Sequence, residues 1–373
     1  MSPDAVTMFD PHRVLSAFHA DSAAADTVAA LLRADPRLPC YALGRNEHAE
    51  QLLRHLTLQG VVDDFAAYGS SWHGLPVLHA DEVPVGACVI NCAMSIAPIT
   101  AAARIRALPK RIAIDYADLC RAKDSRIPLP AFVARARAVL DLELPRFAAV
   151  FGRLADDESK AVFNRLMAYR LTADPIHMEG FRVRLREQYF EPFLGDLADA
   201  AFADCGGYDG DTSELFVEHF PHYRRIYFFE PSAAHMQRAR IRLAGIRDVE
   251  LIECGVSNEP GSLQFDADAG SASAISSAGG TRIEVTTLDA RVTAPLGFIK
   301  MDVEGWEHAA LEGAQRHIRE EAPSLAIAVY HDISDFCRIP EYVLALQPGY
   351  DIRLRHYTEG WSETVMYFVP RSP

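Results

Sequence analysis

The stretch AFADCGGYDGDTS, residues 201–213, decides the fold. A short apolar run ends in Asp204 and Cys205, Gly206 and Gly207 allow a sharp turn, and Gly210-Asp211-Thr212-Ser213 opens a helix. Strand, glycine turn and helix together make the first unit of an open parallel sheet, in which ligands bind beyond the carboxyl ends of the strands. Downstream, IYFF (226–229), VELI (249–252), IEVTT (283–287), FIKMD (298–302) and SLAIAVY (324–330) repeat the short strand, several of them separated by amphipathic helices. The last pair, around IRLRHY and ETVMYFV, has only HYTEGWSE between its members, too little for a crossover helix, and must therefore run antiparallel. Seven or eight strands in one doubly wound sheet with a reversed end are expected over residues 196–373.

Upstream, the pattern predicts a smaller α/β unit over residues 1–115. An Ala-rich helical stretch (12–35) precedes LPCYALG (38–44), a helix (46–58), VVDDF (61–65), the insert SSWHGLPVLHADEV (70–83), ACVINCA (87–93), a helix near 97–107 and RIAID (111–115). A single glycine, Gly44, follows its first strand, so no dinucleotide fingerprint is present and a packing or substrate-presenting role is expected. Residues 116–195 read as a helical connector, with PAFVARARAVLDLEL and DDESKAVFNRLMAYRL separated by Pro145 and Pro175.

The 373 residues carry a net charge of −14, which disfavours a nucleic-acid backbone or an anionic lipid surface as the default partner. Seven scattered cysteines make no disulfide framework, and Cys88 and Cys92 lack a second ligand pair for zinc. No apolar run is long enough for a membrane span, and a cytoplasmic protein is expected.

The turn after 201–205 carries Asp204, Asp209 and Asp211, carboxylates that repel a pyrophosphate but suit the ammonium and sulfonium of a methionine-derived cofactor. Glu230, followed by Pro231, ends the second strand 26 residues after Asp204, where a carboxylate can accept two hydrogen bonds from an adenosine ribose. Cys254, Gly255 and Val256 follow the third strand and offer a ledge for a flat base. Asp268 and GSASAISSAGG (270–280) read as a polar loop near the cofactor.

Asp302 and Glu304 flank Val303 at the end of FIKMD, and His331 ends AIAVYH on the next strand. Either carboxylate can orient or deprotonate an acceptor hydroxyl, and the imidazole has a suitable unperturbed pKa for a base. The three could also hold a divalent metal, although no tight ligand motif is present and no metal site is predicted. In the competing reading Asp302 caps the helix near Gly305 and His331 packs locally. Lys300 is expected to face away or to pair with an acid, and His308 and His317 to be exposed. Tyr189 with Phe190, and Tyr357, Trp361 and Glu363 in the last turn, are candidates to cover or line the acceptor pocket.

Residues 201–370 resemble the FkbM family of S-adenosylmethionine-dependent methyltransferases. The resemblance rests on ADCGGYDGDTS, FFEPS, GSASAIS, TTLDA and, most specifically, FIKMDVEGWEHAALEGA followed by AIAVYH. One departure is Gly206-Gly207-Tyr208-Asp209 where many members have Gly-Ala-Asn-x; the asparagine is absent, and Asp209 is its candidate substitute. The resemblance implies a class I methyltransferase sheet, S-adenosylmethionine as cofactor, and O-methylation of a sugar, glycan or small secondary metabolite. The N-terminal part is more weakly similar, through HGLPVLHADEV, to nucleotide-fold modules found beside sugar-modifying enzymes. An NAD-dependent sugar oxidoreductase and a non-catalytic scaffold are the alternatives, and the oligomeric state is left open, a homo-oligomer included.

Overall fold

The computed structural model describes residues 7–20, 24–123, 125–265 and 281–371. Two parallel-dominated sheets lie on either side of a helical segment. The first joins β1 (Cys40–Leu43), β2 (Gly60–Val62), β3 (Ser71–Trp72), β4 (Leu75–Leu78), β5 (Cys88–Asn91) and β6 (Ile112–Asp115) in the order β3-β4-β2-β1-β5-β6. All its pairings are parallel except the β3/β4 hairpin. What reads in the sequence as an insert therefore supplies the edge strand β3 and its neighbour β4, joined by a hairpin turn at Gly74. The expected helix over 12–35 is two helices, Pro11–Ala20 and Ala25–Leu32. The helix Glu47–Leu53 begins where Asn46 accepts the amides of His48 and Ala49, both at 3.1 Å.

The connector is built on the helices Ala131–Arg153 and Asp157–Thr172. Pro145, read from the sequence as a break, lies inside the first. The carbonyl four residues earlier belongs to exposed Asp141, so water can replace the lost amide bond. The second is capped by Asp156, which accepts the Ser159 amide at 2.7 Å and pairs with Arg353 and Arg355 of the last sheet, fixing the connector against it.

The larger sheet contains β7 (Ala201–Cys205), β8 (Arg225–Phe229), β9 (Val249–Ile252), β13 (Phe298–Met301), β14 (Ser324–Ala328), β15 (Tyr350–His356) and β16 (Thr364–Pro370), in the order β15-β16-β14-β13-β7-β8-β9. The reversed pair is present: β16 runs antiparallel to both β14 and β15. IEVTT does not join this sheet. It forms β12 (Thr281–Thr286), which with β10 (Gly255–Val256) and β11 (Gly261–Phe265) makes a separate three-stranded sheet. Asp268 and GSASAISSAGG lie outside the described residues.

Alternation along the central strands divides the core. Ala203, Cys205, Ile299, Met301, Leu325 and Ile327 pack with the connector helices, whereas Phe202, Phe228, Phe298 and Tyr367 pack with Phe216 of the helix Asp211–His219. The β7/β13 register sets Lys300 directly opposite Asp204 and Met301 opposite Cys205. Gly206, Asp302 and the Val329–His331 segment consequently emerge side by side from one sheet edge. No helix among the described residues is long and apolar enough to cross a membrane.

Candidate active site

Lys300 and Asp204 face each other across two buried strands, with Nζ 3.2 Å from Oδ1. The ammonium also donates to the Gly206 carbonyl at 2.6 Å, while Ser213 donates to the other Asp204 oxygen at 2.7 Å. Burial alone would lower the lysine, but Asp204 and Asp302 outweigh it and hold the ammonium charged. Asp204 is thus a structural anchor beneath the turn. Asp209, a ligand candidate from its place in the turn, pairs with Arg242 at 2.8 Å. Of the three carboxylates on this turn, Asp211 lines the adjoining cavity. The negative charge that the sequence suggests is therefore largely neutralised from elsewhere in the fold.

The turn glycines have a packing role. A Cβ on Gly206, whose φ is +79°, would strike the carbonyl oxygen of Asp302, and one on Gly207 would enter the Phe228 ring. Their small size brings the β7 turn against the end of β13, which sets Asp302 beside it.

A cavity of about 230 Å³ opens there. It is lined by Gly206, Gly207, Asp211, Asp302 and Glu304, together with Gln188, Tyr189, Tyr330 and Glu363. Asp302 accepts the Tyr189 hydroxyl at 2.8 Å and the Tyr330 hydroxyl at 3.2 Å. Burial, then the neighbouring Asp302, pushes both phenols well above their ordinary range, so both remain proton donors. Glu363 accepts from Gln188 at 2.8 Å, and burial with Asp302 nearby raises it to about 7. Four non-glycine wall residues, Tyr189, Tyr208, Glu304 and Glu363, have φ between +53° and +74°. Strain concentrated around one cavity marks it as a place where side-chain position is held at a cost of about 1–3 kcal/mol each.

His331 stands behind the carboxylates, with Nε2 3.1 Å from Glu304 and 3.7 Å from Asp302, and Nδ1 3.0 Å from buried Glu307. Burial favours the neutral ring, but Glu307 and Glu304 overcome it and push the imidazole well above its ordinary value. The resting ring is an imidazolium that holds two acids rather than a free base. Glu304 is raised by burial against the opposing effect of His331, which gives a carboxylate more basic than an exposed one.

The cap that the competing reading gives to Asp302 is made by another acid. Glu307 accepts the amides of Val303 at 2.9 Å and Gly305 at 3.2 Å, so it shapes the turn and leaves Asp302 free to face the cavity. Asp302, Glu307 and His331 each offer one ligand atom within 4.8 Å of the others, a set that could hold a cation. Their existing mutual pairing and the two amides on Glu307 already balance those groups.

Glu230 and Pro231 follow β8 of the larger sheet, Gly255 and Val256 form β10 of the three-stranded sheet, and all four lie outside this cavity. Glu230 is 5% exposed and accepts one amide on each oxygen, from Tyr208 at 3.0 Å and Ser232 at 2.8 Å. Burial, offset in part by those amides, raises it to about 7. Gly255 and Val256 are strand residues paired with Val285 and Thr286, which limits how far they could shift towards a base. Tyr357 is buried against Glu191, Trp361 packs near Phe132 between two core clusters, and only Glu363 of that trio lines the cavity. His317, expected to be exposed, is buried with Nδ1 2.6 Å from Glu321, because its helix turns inward towards Asp289 and Val292. Sequence reasoning passed over Tyr330 and Glu307. The available signals were Tyr330's place next to His331 and the Glu-Gly-x-Glu spacing after Asp302.

A seven-stranded sheet with a reversed end, carrying carboxylates beside the glycine turn at its ligand edge, defines the S-adenosylmethionine-dependent methyltransferase class. Residues 204–352 match the family model of the Methyltransferase FkbM domain. The whole fold is similar to the crystal structure of methyltransferase FkbM from Methylobacillus flagellatus KT, with 23% identity, a TM-score of 0.71 and coverage of 96% of this chain and 100% of that one. An rRNA methylase from Streptococcus thermophilus matches 54% of this chain and 98% of its own at 18% identity and a TM-score of 0.34. A putative rRNA-methylase from Clostridium thermocellum matches 47% and 88% at 8% identity and a TM-score of 0.33. No curated protein sequence matches the chain.

Proposed function

We propose that the chain transfers the methyl group of S-adenosylmethionine to a hydroxyl of a sugar, glycan or small secondary metabolite. The observation that carries this reading is the cavity in which Asp302, Glu304 and Glu363 converge beside the glycine turn, since carboxylates flanked by phenols suit hydroxyl recognition. The chain's own residues fit the cofactor's needs. Each Glu230 oxygen already holds one amide and retains capacity to accept a ribose hydroxyl, and Asp211 lines the cavity where an ammonium could be met. When bound, the cofactor supplies an electrophilic methyl on sulfur.

Asp302, held by Tyr189 and Tyr330, orients the acceptor hydroxyl. Glu304, made more basic by burial, would accept the hydroxyl proton, while the His331 imidazolium steadies both carboxylates. A cytoplasmic setting is part of the proposal and is supported by seven unpaired cysteines. The testing experiment is methyl transfer from radiolabelled S-adenosylmethionine to a panel of hydroxylated sugars and small alcohols. Labelled ether product that is lost in Asp302→Asn is expected. Transfer only to amines or to nucleic acid would overturn the reading.

A further inference from the structure

In the small sheet the strand order reverses direction between β1 and β5, the place where open α/β sheets hold their ligand. That crevice is filled by the chain's own β15–β16 turn. The Met94 carbonyl accepts the Trp361 amide at 3.1 Å, the Ser95 carbonyl accepts the Ser362 hydroxyl at 2.9 Å, and the Ile96 carbonyl accepts the Glu359 amide at 2.8 Å. Glu359 places its carboxylate on the first turn of the helix Pro98–Arg106, accepting the Thr100 amide at 2.7 Å and hydroxyl at 2.6 Å. This is the position an anionic ligand would take at such a helix start. Gly360 completes the seal, since any Cβ would collide with the carbonyl oxygens of Met94 and Ser95.

The same turn continues into the acceptor cavity. Four residues after Glu359 comes Glu363, a wall residue with φ +61°. Behind it Arg170, 2% exposed, donates through one nitrogen to the carbonyl of Trp361 at 3.1 Å and to that of Tyr330 at 2.6 Å. The guanidinium thus ties the turn to the strand end that supplies Tyr330 and His331.

We infer that the small domain has exchanged ligand binding for positioning: its closed ligand edge grips the 358–362 turn and thereby holds Glu363 in the acceptor wall, with Glu359 as the positioning residue. This inference rests on the cavity being the acceptor site, but its first readout does not. Hydrogen exchange on the full chain with Glu359→Ala should speed exchange of residues 357–363 and 94–100 by about tenfold or more, as expected for the loss of two charge-assisted bonds. Exchange at 201–213 and affinity for S-adenosylmethionine should change less than about twofold. With an acceptor from the panel, KM should rise about tenfold with a smaller change in kcat, and Glu359→Gln, which keeps an acceptor oxygen for Thr100, should recover most of the loss. Unchanged exchange in 357–363, or faster exchange with an unmoved KM, would overturn the inference. Binding of ADP or NAD to the unmodified chain with protection of residues 92–100 would overturn it as well, because it would show that edge to be open. If S-adenosylmethionine does not bind at all, the proposed function fails while the exchange result still decides whether the turn is gripped.

Discussion

The chain contains two sheets of similar parallel construction whose ligand edges have opposite fates. At the larger sheet, Gly206 and Gly207 let the β7 turn pack tightly, and the carboxylate of Asp302 is left facing a cavity. At the smaller one, Gly360 of another segment lets a turn pack just as tightly, and the edge is closed. In both places glycine serves backbone-to-backbone approach. What separates an open edge from a closed one is which polar groups remain after packing: Asp302 and Glu304 in one case, and carbonyls already matched to amides in the other. A nucleotide-like sheet therefore predicts where a ligand could sit, and the pairing of its edge groups decides whether one does.

The contrast can be tested by changing each edge in turn. Glu304→Gln, which removes the proposed proton acceptor, should produce the largest effect, lowering kcat roughly a hundredfold to ten-thousandfold while cofactor affinity stays within about twofold. Steady-state kinetics beside calorimetry separates the two. Glu230→Ala should weaken S-adenosylmethionine binding by roughly tenfold to a hundredfold, the scale of hydrogen bonds to a charged group, without changing the exchange behaviour of the small domain. The same residue gives a pH signature. Its value near 7 in the free protein lies above that of an exposed glutamate, so its contribution to stability is present at low pH and is lost as pH rises through about 7. A ligand that donates hydrogen bonds to the ionised carboxylate favours the deprotonated form. Affinity should accordingly rise with pH towards about 7 and level off above it, with proton release measurable by calorimetry in buffers of different ionisation enthalpy.

Gly360→Ala should destabilise the chain by about 2–4 kcal/mol through steric conflict at the closed edge, seen as a lower denaturation midpoint. If it is tolerated, the edge is looser than its packing indicates. Smallest of all, Asn46→Ala removes the cap of a helix on the small sheet and should cost about 1 kcal/mol with no change in cofactor affinity. A change in affinity there would place a ligand at the small domain and erase the contrast.

Much of this was legible in the chain. The strand, glycine turn and helix at 201–213, the reversed final pair and the clustering of Asp302, Glu304 and His331 follow from local pattern, because strand ends in a parallel sheet share one edge. The parts that were not legible depend on pairings distant in sequence. The acidity of the turn looked like a ligand site because Lys300 and Arg242, which neutralise Asp204 and Asp209, come from other elements. The competing reading of Asp302 as a helix cap stayed open because nothing local shows that Glu307 reaches back to the same turn. IEVTT has a strand composition and is a strand, but composition does not say which sheet it joins. The grip of Glu359 on Thr100 joins opposite ends of the chain and leaves no periodic signal.

The most direct test of the open-edge account is calorimetric titration of the full chain with S-adenosylmethionine, S-adenosylhomocysteine and NAD, repeated with Glu230→Gln and Thr100→Val. The account predicts micromolar binding of the two adenosyl compounds, about −8 kcal/mol, weakened by Glu230→Gln and unaffected by Thr100→Val. No heat with either compound, or binding of NAD alone that Thr100→Val abolishes, would contradict it.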